Sequence, residues 1–171
     1  MERLSLEEFR TNFRRHAHAV HLEMKEHYGV TEEDEPFRKF LAGEKDDYAW
    51  RAGYLKAVRD ATAAGSVVRR IRLVREPLND YARFLLHISP GNIAAGEEIR
   101  YLPRDRAVGV EFPAEDCWLF DSVRLILVKF FDNGRMDGFY VVDDPKLVKV
   151  YRHACAQAWE RATPFAEYVN G

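Results

Sequence analysis

Apolar positions recur at three- and four-residue steps up to residue 65, cluster in short β-branched and aromatic runs to residue 143, then return to helical spacing. Ser5-Leu6-Glu7-Glu8 has the form of a capping box. Leu6, Phe9, Phe13, Ala17, Val20 and Met24 then form an amphipathic stripe, which predicts one helix ending at Gly29. A short helix is predicted over Pro36 to Leu41, stopped by Gly43. A third starts near Asp46 or Asp47 and runs to Ala64, with Tyr48, Leu55, Val58 and Thr62 on one face and Trp50, Tyr54 and Ala61 beside it; Gly65 ends it.

From residue 66 the pattern changes. Val67 to Val74 alternates β-branched residues with arginines and predicts a strand. Tyr81 to Ile88 predicts a helix broken by Pro90-Gly91, and Glu98 to Leu102 a strand, so the three form a right-handed parallel unit. Residues 103 to 114 read as a loop. Cys117 to Phe120 is apolar on both faces, which places it centrally in a sheet. Val123 to Phe131 and Arg135 to Val142 flank Asp132-Asn133-Gly134, which predicts a hairpin with a type I′ turn. Asp144 caps a last helix with Pro145 at its first position and Leu147, Tyr151, Ala154, Cys155, Ala158 and Ala162 buried, ending at Thr163-Pro164. The expected fold is α+β (α/β-like). Helices in residues 1–65 pack on a β-α-β-β-β-β-α domain, residues 66–171, with a mixed five-stranded sheet, together one compact unit.

Composition narrows the function classes. With 171 residues, 47% of them apolar, the chain can bury a substantial core. A formal net charge of -2 argues against direct nucleic-acid binding, which normally rests on a basic excess. Cys117 and Cys155 lie in apolar contexts without zinc-ligand spacing, as expected of buried reduced thiols. No apolar run reaches membrane-spanning length and no signal segment is evident, so a soluble cytoplasmic protein is expected.

Candidate chemistry is sparse. His18 and His21 are three residues apart, but no carboxylate completes a recognised metal motif, so rim histidines are the favoured reading and no metal or other cofactor is expected. Asp116 and Asp121 bracket one strand about 16 Å apart, too far for joint acid–base work, and read as strand-end turn formers. Neither a nucleophile elbow, a phosphate-cradling glycine loop nor a dinucleotide fingerprint is present. The arginines carry the one positive signal. Arg70 and Arg72 share a strand face, Arg100 on the neighbouring strand could join them, and Arg104 follows in the loop. Such guanidinium groups suit a carboxylate or phosphate; the simpler alternative is ion pairing with Glu97, Glu98, Asp116 or Asp121.

Several blocks carry a family resemblance across nearly the whole chain. They are Phe9, Phe13, Leu22-Glu23 and Tyr28; Phe40-Leu41-Ala42-Gly43-Glu44; Val68 to Val74 with Pro77 and Tyr81; Gly96-Glu97-Glu98-Ile99-Arg100; Asp116 to Asp121; the Phe131 to Gly134 turn; and Ala158-Trp159 through Pro164. The chain resembles an uncharacterised actinobacterial domain-of-unknown-function family encoded beside helix-turn-helix regulators of the WhiJ type, in which Phe more often stands where Cys117 does here. Its second half is also similar in outline to the phospholipase D-like fold, but the His-x-Lys of that catalytic motif does not occur. The resemblance implies a non-catalytic regulatory or sensor module with a helix-turn-helix regulator as partner and a small ligand as an optional signal. Two alternatives stand beside it: an enzyme or binder that takes a small anionic ligand on Arg70, Arg72, Arg100 and Arg104, and a purely structural or oligomerisation domain.

Overall fold

In chain order the computed structural model, which describes residues 1–171, runs β1 (Glu2–Leu4), α1 (Leu6–Arg15), β2 (His18–Glu23), α2 (Asp34–Ala42), α3 (Ala52–Ala63), β3 (Val67–Val74) and α4 (Asp80–Ala94). It continues with β4 (Glu98–Pro103), β5 (Asp116–Phe120), β6 (Arg124–Phe130), β7 (Met136–Val142), α5 (Pro145–Arg161), β8 (Thr163–Pro164) and α6 (Phe165–Asn170). The strands form a single mixed sheet in the order β1-β7-β6-β5-β2-β3-β4-β8. β2, β3 and β4 are mutually parallel and every other pairing is antiparallel.

Alternation along the strands divides the core into two faces. Leu22, Ile71, Leu102, Leu119, Leu125 and Leu127 pack with Tyr151, Cys155 and Ala158 of α5. On the other face Val68, Trp118, Phe120 and Ile126 meet Phe9 and Phe13 of α1 and Val58 and Ala61 of α3. A satellite cluster of Tyr28, Tyr81, Phe84, Leu85 and Ile88 lies at the α4 end of that second face. Cys117 and Cys155 are buried free thiols.

The sheet has eight strands rather than the five expected, and the extra ones are β1, β2 and β8. β2 is the consequential correction. The expected single N-terminal helix stops at Arg15, and His18–Glu23 inserts between β5 and β3. Because β2 is buried on both faces, polar and apolar residues alternate only over His21-Leu22-Glu23, too short a run to mark a half-exposed strand. The first 65 residues therefore supply two strands as well as helices. The predicted capping box is formed, with Ser5 and Glu8 bonded reciprocally. The third helix begins at Ala52, after a 3-10 turn over Ala49–Arg51.

Two local expectations differ for identifiable reasons. α4 continues through Pro90-Gly91 to Ala94. The Arg51 guanidinium docks there, donating to the Ile88 carbonyl at 2.7 Å and to the Asn92 side chain. The 131–135 hairpin has one left-handed residue, Gly134 at φ 81°, where a type I′ turn needs two. The Gly134 N–H donates to the Phe131 carbonyl and the Phe131 N–H to the Arg135 carbonyl, both at 2.8 Å, a three-residue loop ending in a left-handed glycine.

Gly29, expected as a helix stop, instead bridges to this hairpin. Its N–H donates to the Gly134 carbonyl at 3.1 Å and its carbonyl accepts from the Met136 N–H at 3.0 Å. A Cβ at Gly29 would lie 2.4 Å from the Gly134 oxygen, a backbone atom that cannot rotate away. Gly29→Ala is therefore expected to destabilise the fold by about 1–3 kcal/mol in urea denaturation. Unchanged stability would mean that the hairpin is not clamped here.

A candidate site of buried charges

Register gathers the charged residues before any side chain is considered. In the parallel pair β2–β3, His21 lies opposite Arg70 and Glu23 opposite Arg72. In β3–β4, Arg72 lies opposite Tyr101. All five belong to the face covered by α3 and α4. Arg70 and Arg72 are only 7% and 5% exposed, and Glu23 8%.

Charges so deeply desolvated persist only when paired and hydrogen-bonded. Glu23 lies between the two guanidinium groups, taking Arg72 Nε on Oε2 at 2.7 Å and Arg70 Nη1 on Oε1. Arg70 Nε donates to Glu97 Oε1 at 2.6 Å and its Nη2 to the Tyr54 hydroxyl at 2.8 Å. The other oxygen of Glu97 accepts from Tyr54 at 2.9 Å and from Asn92 Nδ2 at 2.7 Å. Arg72 Nη1 reaches Ser89 Oγ at 3.2 Å and the Tyr101 hydroxyl at 3.1 Å. Two guanidiniums thus face two carboxylates, with α3 supplying Tyr54 and α4 supplying Ser89 and Asn92. Burial opposes ionisation of Glu23, but Arg70 and Arg72 outweigh it and hold the carboxyl well below the usual range. Burial likewise opposes the charge on Arg70, and Glu23 and Glu97 prevail.

His21 and Asp116 extend the cluster. The His21 ring stacks on Trp118 at 4.3 Å. Its Nδ1 donates to the Cys117 carbonyl at 2.8 Å while Nε2 lies 3.1 Å from Glu23 Oε1. Asp116, read from sequence as a turn former, is fully buried. It accepts from the Met24 N–H at 3.1 Å and from the Tyr28 hydroxyl. Burial is the main cause that lifts its carboxyl to about 6, with the Tyr28 hydrogen bond opposing. Asp121 is the turn residue expected, at φ 48°, and its carboxylate holds His16 Nδ1 at 2.8 Å and the His18 N–H at 2.9 Å.

The four arginines do not converge. Arg70 and Arg72 lie side by side, but Arg100 lies opposite Ile71 and so projects from the other face. There it stacks on Trp159 at 4.1 Å and donates to the Trp159 carbonyl at 3.0 Å. Arg104 sits at the end of β4 and donates to the Met24 carbonyl at 2.6 Å. Beside Glu23, Arg72, Tyr28 and Tyr101 the open space is a crevice of about 20 Å3, enough for about one water. The carboxylate-binding fork expected of Arg70 and Arg72 exists, and Glu23 of the same chain fills it. Glu23 was missed because its segment reads as helix. The alternation of His21 and Glu23 about Leu22 was the available signal.

His18 and His21 do not form a pair, since His21 is buried and His18 exposed. No group of three or more His, Cys, Asp or Glu side chains is placed to hold a metal ion, and no helix is long and apolar enough to cross a membrane.

The family profile described as "Domain of unknown function (DUF6879)" matches residues 7–170, and the chain belongs to that family. No curated protein matches the chain.

Two substitutions separate the electrostatic contributions. Glu23→Ala leaves the buried Arg72 guanidinium without a carboxylate and Arg70 with Glu97 alone, and is expected to cost about 3–5 kcal/mol in chemical denaturation. A loss below about 1 kcal/mol would show that the arginines find other partners. Asp116 has the opposite sign. Its unfolded carboxyl ionises near about 3.9 and its folded one at about 6. The folded protein therefore keeps a proton that the unfolded chain has lost, and this group's contribution to stability falls as pH rises between those values. Asp116→Asn should accordingly gain on the wild type by on the order of 2 kcal/mol between pH 4 and pH 7. A pH-independent difference would refute the assignment.

Proposed function

For this member of the DUF6879 family we propose a non-catalytic regulatory or sensor module that acts with a helix-turn-helix transcription regulator. One observation carries the reading. The charged side chains best suited to chemistry, Glu23, Arg70, Arg72 and Glu97, are sealed beneath α3 and α4 and bonded to one another. Such a network holds strands and helices in register, so recognition falls to the outer surface. The resemblance to domains encoded beside helix-turn-helix regulators, and the outline shared with non-catalytic phospholipase D-like sensor domains, support the same reading by association.

The test is co-expression of the tagged full chain with a helix-turn-helix regulator of the WhiJ type. We expect the two to co-purify and to elute together in size-exclusion chromatography. A folded chain, with cooperative thermal unfolding, that elutes alone would reject the reading.

A further inference from the structure

A groove between the end of α2, the loop that follows it and α4 lies away from the buried charges and has a volume of about 500 Å3. That size lies within the usual range for small-molecule sites. Four aromatic rings converge in its wall, and the charge around it is negative. We propose that this groove binds a small organic ammonium ion.

Side-chain contacts, not chain position alone, bring the rings together. Phe84 of α4 is 1% exposed and closes the inner side. Phe40 of α2 packs on it with ring centroids 5.7 Å apart, and the His87 ring lies 5.2 Å from Phe40. The Tyr48 hydroxyl lies 3.1 Å from His87 Nε2, which ties the loop to α4. Phe40 is half-buried, while Tyr48 and His87 are exposed and within reach of a ligand. The faces of such rings carry the negative part of the aromatic quadrupole, so a wall of them attracts a cation, a quaternary ammonium above all.

Tyr48 is fixed as part of that wall. It is left-handed at φ 58°, a state an aromatic residue holds only when its surroundings enforce it. The Asp46 carboxylate does so, accepting from the Tyr48 N–H at 3.0 Å and from Trp50 Nε1 at 2.8 Å. Asp46 also lines the groove, so its negative charge is held beside the rings. The charges around it do not cancel. Glu44 and Asp46 in the lining, with Glu35 and Asp47 close in the chain, stand against Arg38, Lys39 and Lys45, four carboxylates to three cations. α2 ends at Gly43 in the same wall, and the carbonyl end of a helix adds partial negative charge.

An alkylated ammonium matches both features, since the rings take its methyl groups and the carboxylates its charge. An anion would face Glu44 and Asp46, and an uncharged molecule would use the rings alone. The site stands independently of the partner reading, since a ligand would bind the isolated chain.

Choline titrated into the 15N-labelled full chain tests it. Saturable amide shifts confined to residues 40–48 and 84–88 are expected, with a Kd on the order of 1 mM. The uncharged isostere 3,3-dimethylbutan-1-ol should bind at least about threefold more weakly. Tyr48→Asn removes the ring but supplies a residue that tolerates the left-handed backbone, so the chain should stay folded and bind choline at least about fivefold more weakly. Glu44→Gln, at an exposed position where Arg38 keeps Glu35 as a partner, should weaken binding as well. No saturable shift, shifts centred on other surfaces, equal binding of the isostere, or binding untouched by Tyr48→Asn would overturn the proposal.

Discussion

Glu23 is held between Arg70 and Arg72 under a layer of helices, and the rest of the chain is arranged around that contact. A buried carboxylate and two buried guanidiniums each carry a desolvation cost of several kcal/mol, which only close pairing and further hydrogen bonds offset. Those bonds come from Tyr54 on α3, Ser89 on α4, and Glu97 with Asn92 at the end of α4. Sheet register and helix docking thus become one condition. A one-residue slip of β2 against β3 would turn Glu23 into the leucine-rich face under α5. The cluster is weak evidence of added net stability, because apolar residues of equal volume could match its energy.

Much of the second half was legible because its signals are local. Asp144-Pro145 caps α5, the Val67 to Val74 run is β3, and Cys117 to Phe120 is an interior strand. The failures were non-local. Ala17, Val20 and Met24 continue the helical spacing of Phe9 and Phe13, yet Val20 lies in a strand, because the gap between β5 and β3 rewards an extended segment more than propensity rewards a helix. Losing β2 also hid Glu23, the partner that completes the site. The shared face of Arg70 and Arg72 follows from strand period alone. The opposite orientation of Arg100 depends on the β3–β4 register, which no single strand encodes.

Topology explains why the cluster is closed. In open α/β sheets, ligands enter a crevice at the strand ends where successive crossovers leave on opposite faces. Here α3, on the way from β2 to β3, and α4, on the way from β3 to β4, contribute to the same buried network on one face. Only a crevice of about 20 Å3 is left beside Glu23 and Arg72. The carboxyl ends of the parallel strands are filled by Glu23, Tyr28, Tyr101 and Asp116 instead.

The opposite edge of the sheet is built differently. β5 and β6 meet there in a tight turn, and α5 departs from the end of β7, so two antiparallel connections diverge and leave a groove between them. Charges at this edge are hydrated, and being unpaired costs them little. The arginines of β3, by contrast, must be neutralised within the chain for the protein to fold. Similar guanidinium groups are thus paired within the chain or left to solvent according to the end of the sheet at which topology leaves them. Burial, which the pattern of arginines alone does not encode, is what separates Arg72 from Arg124.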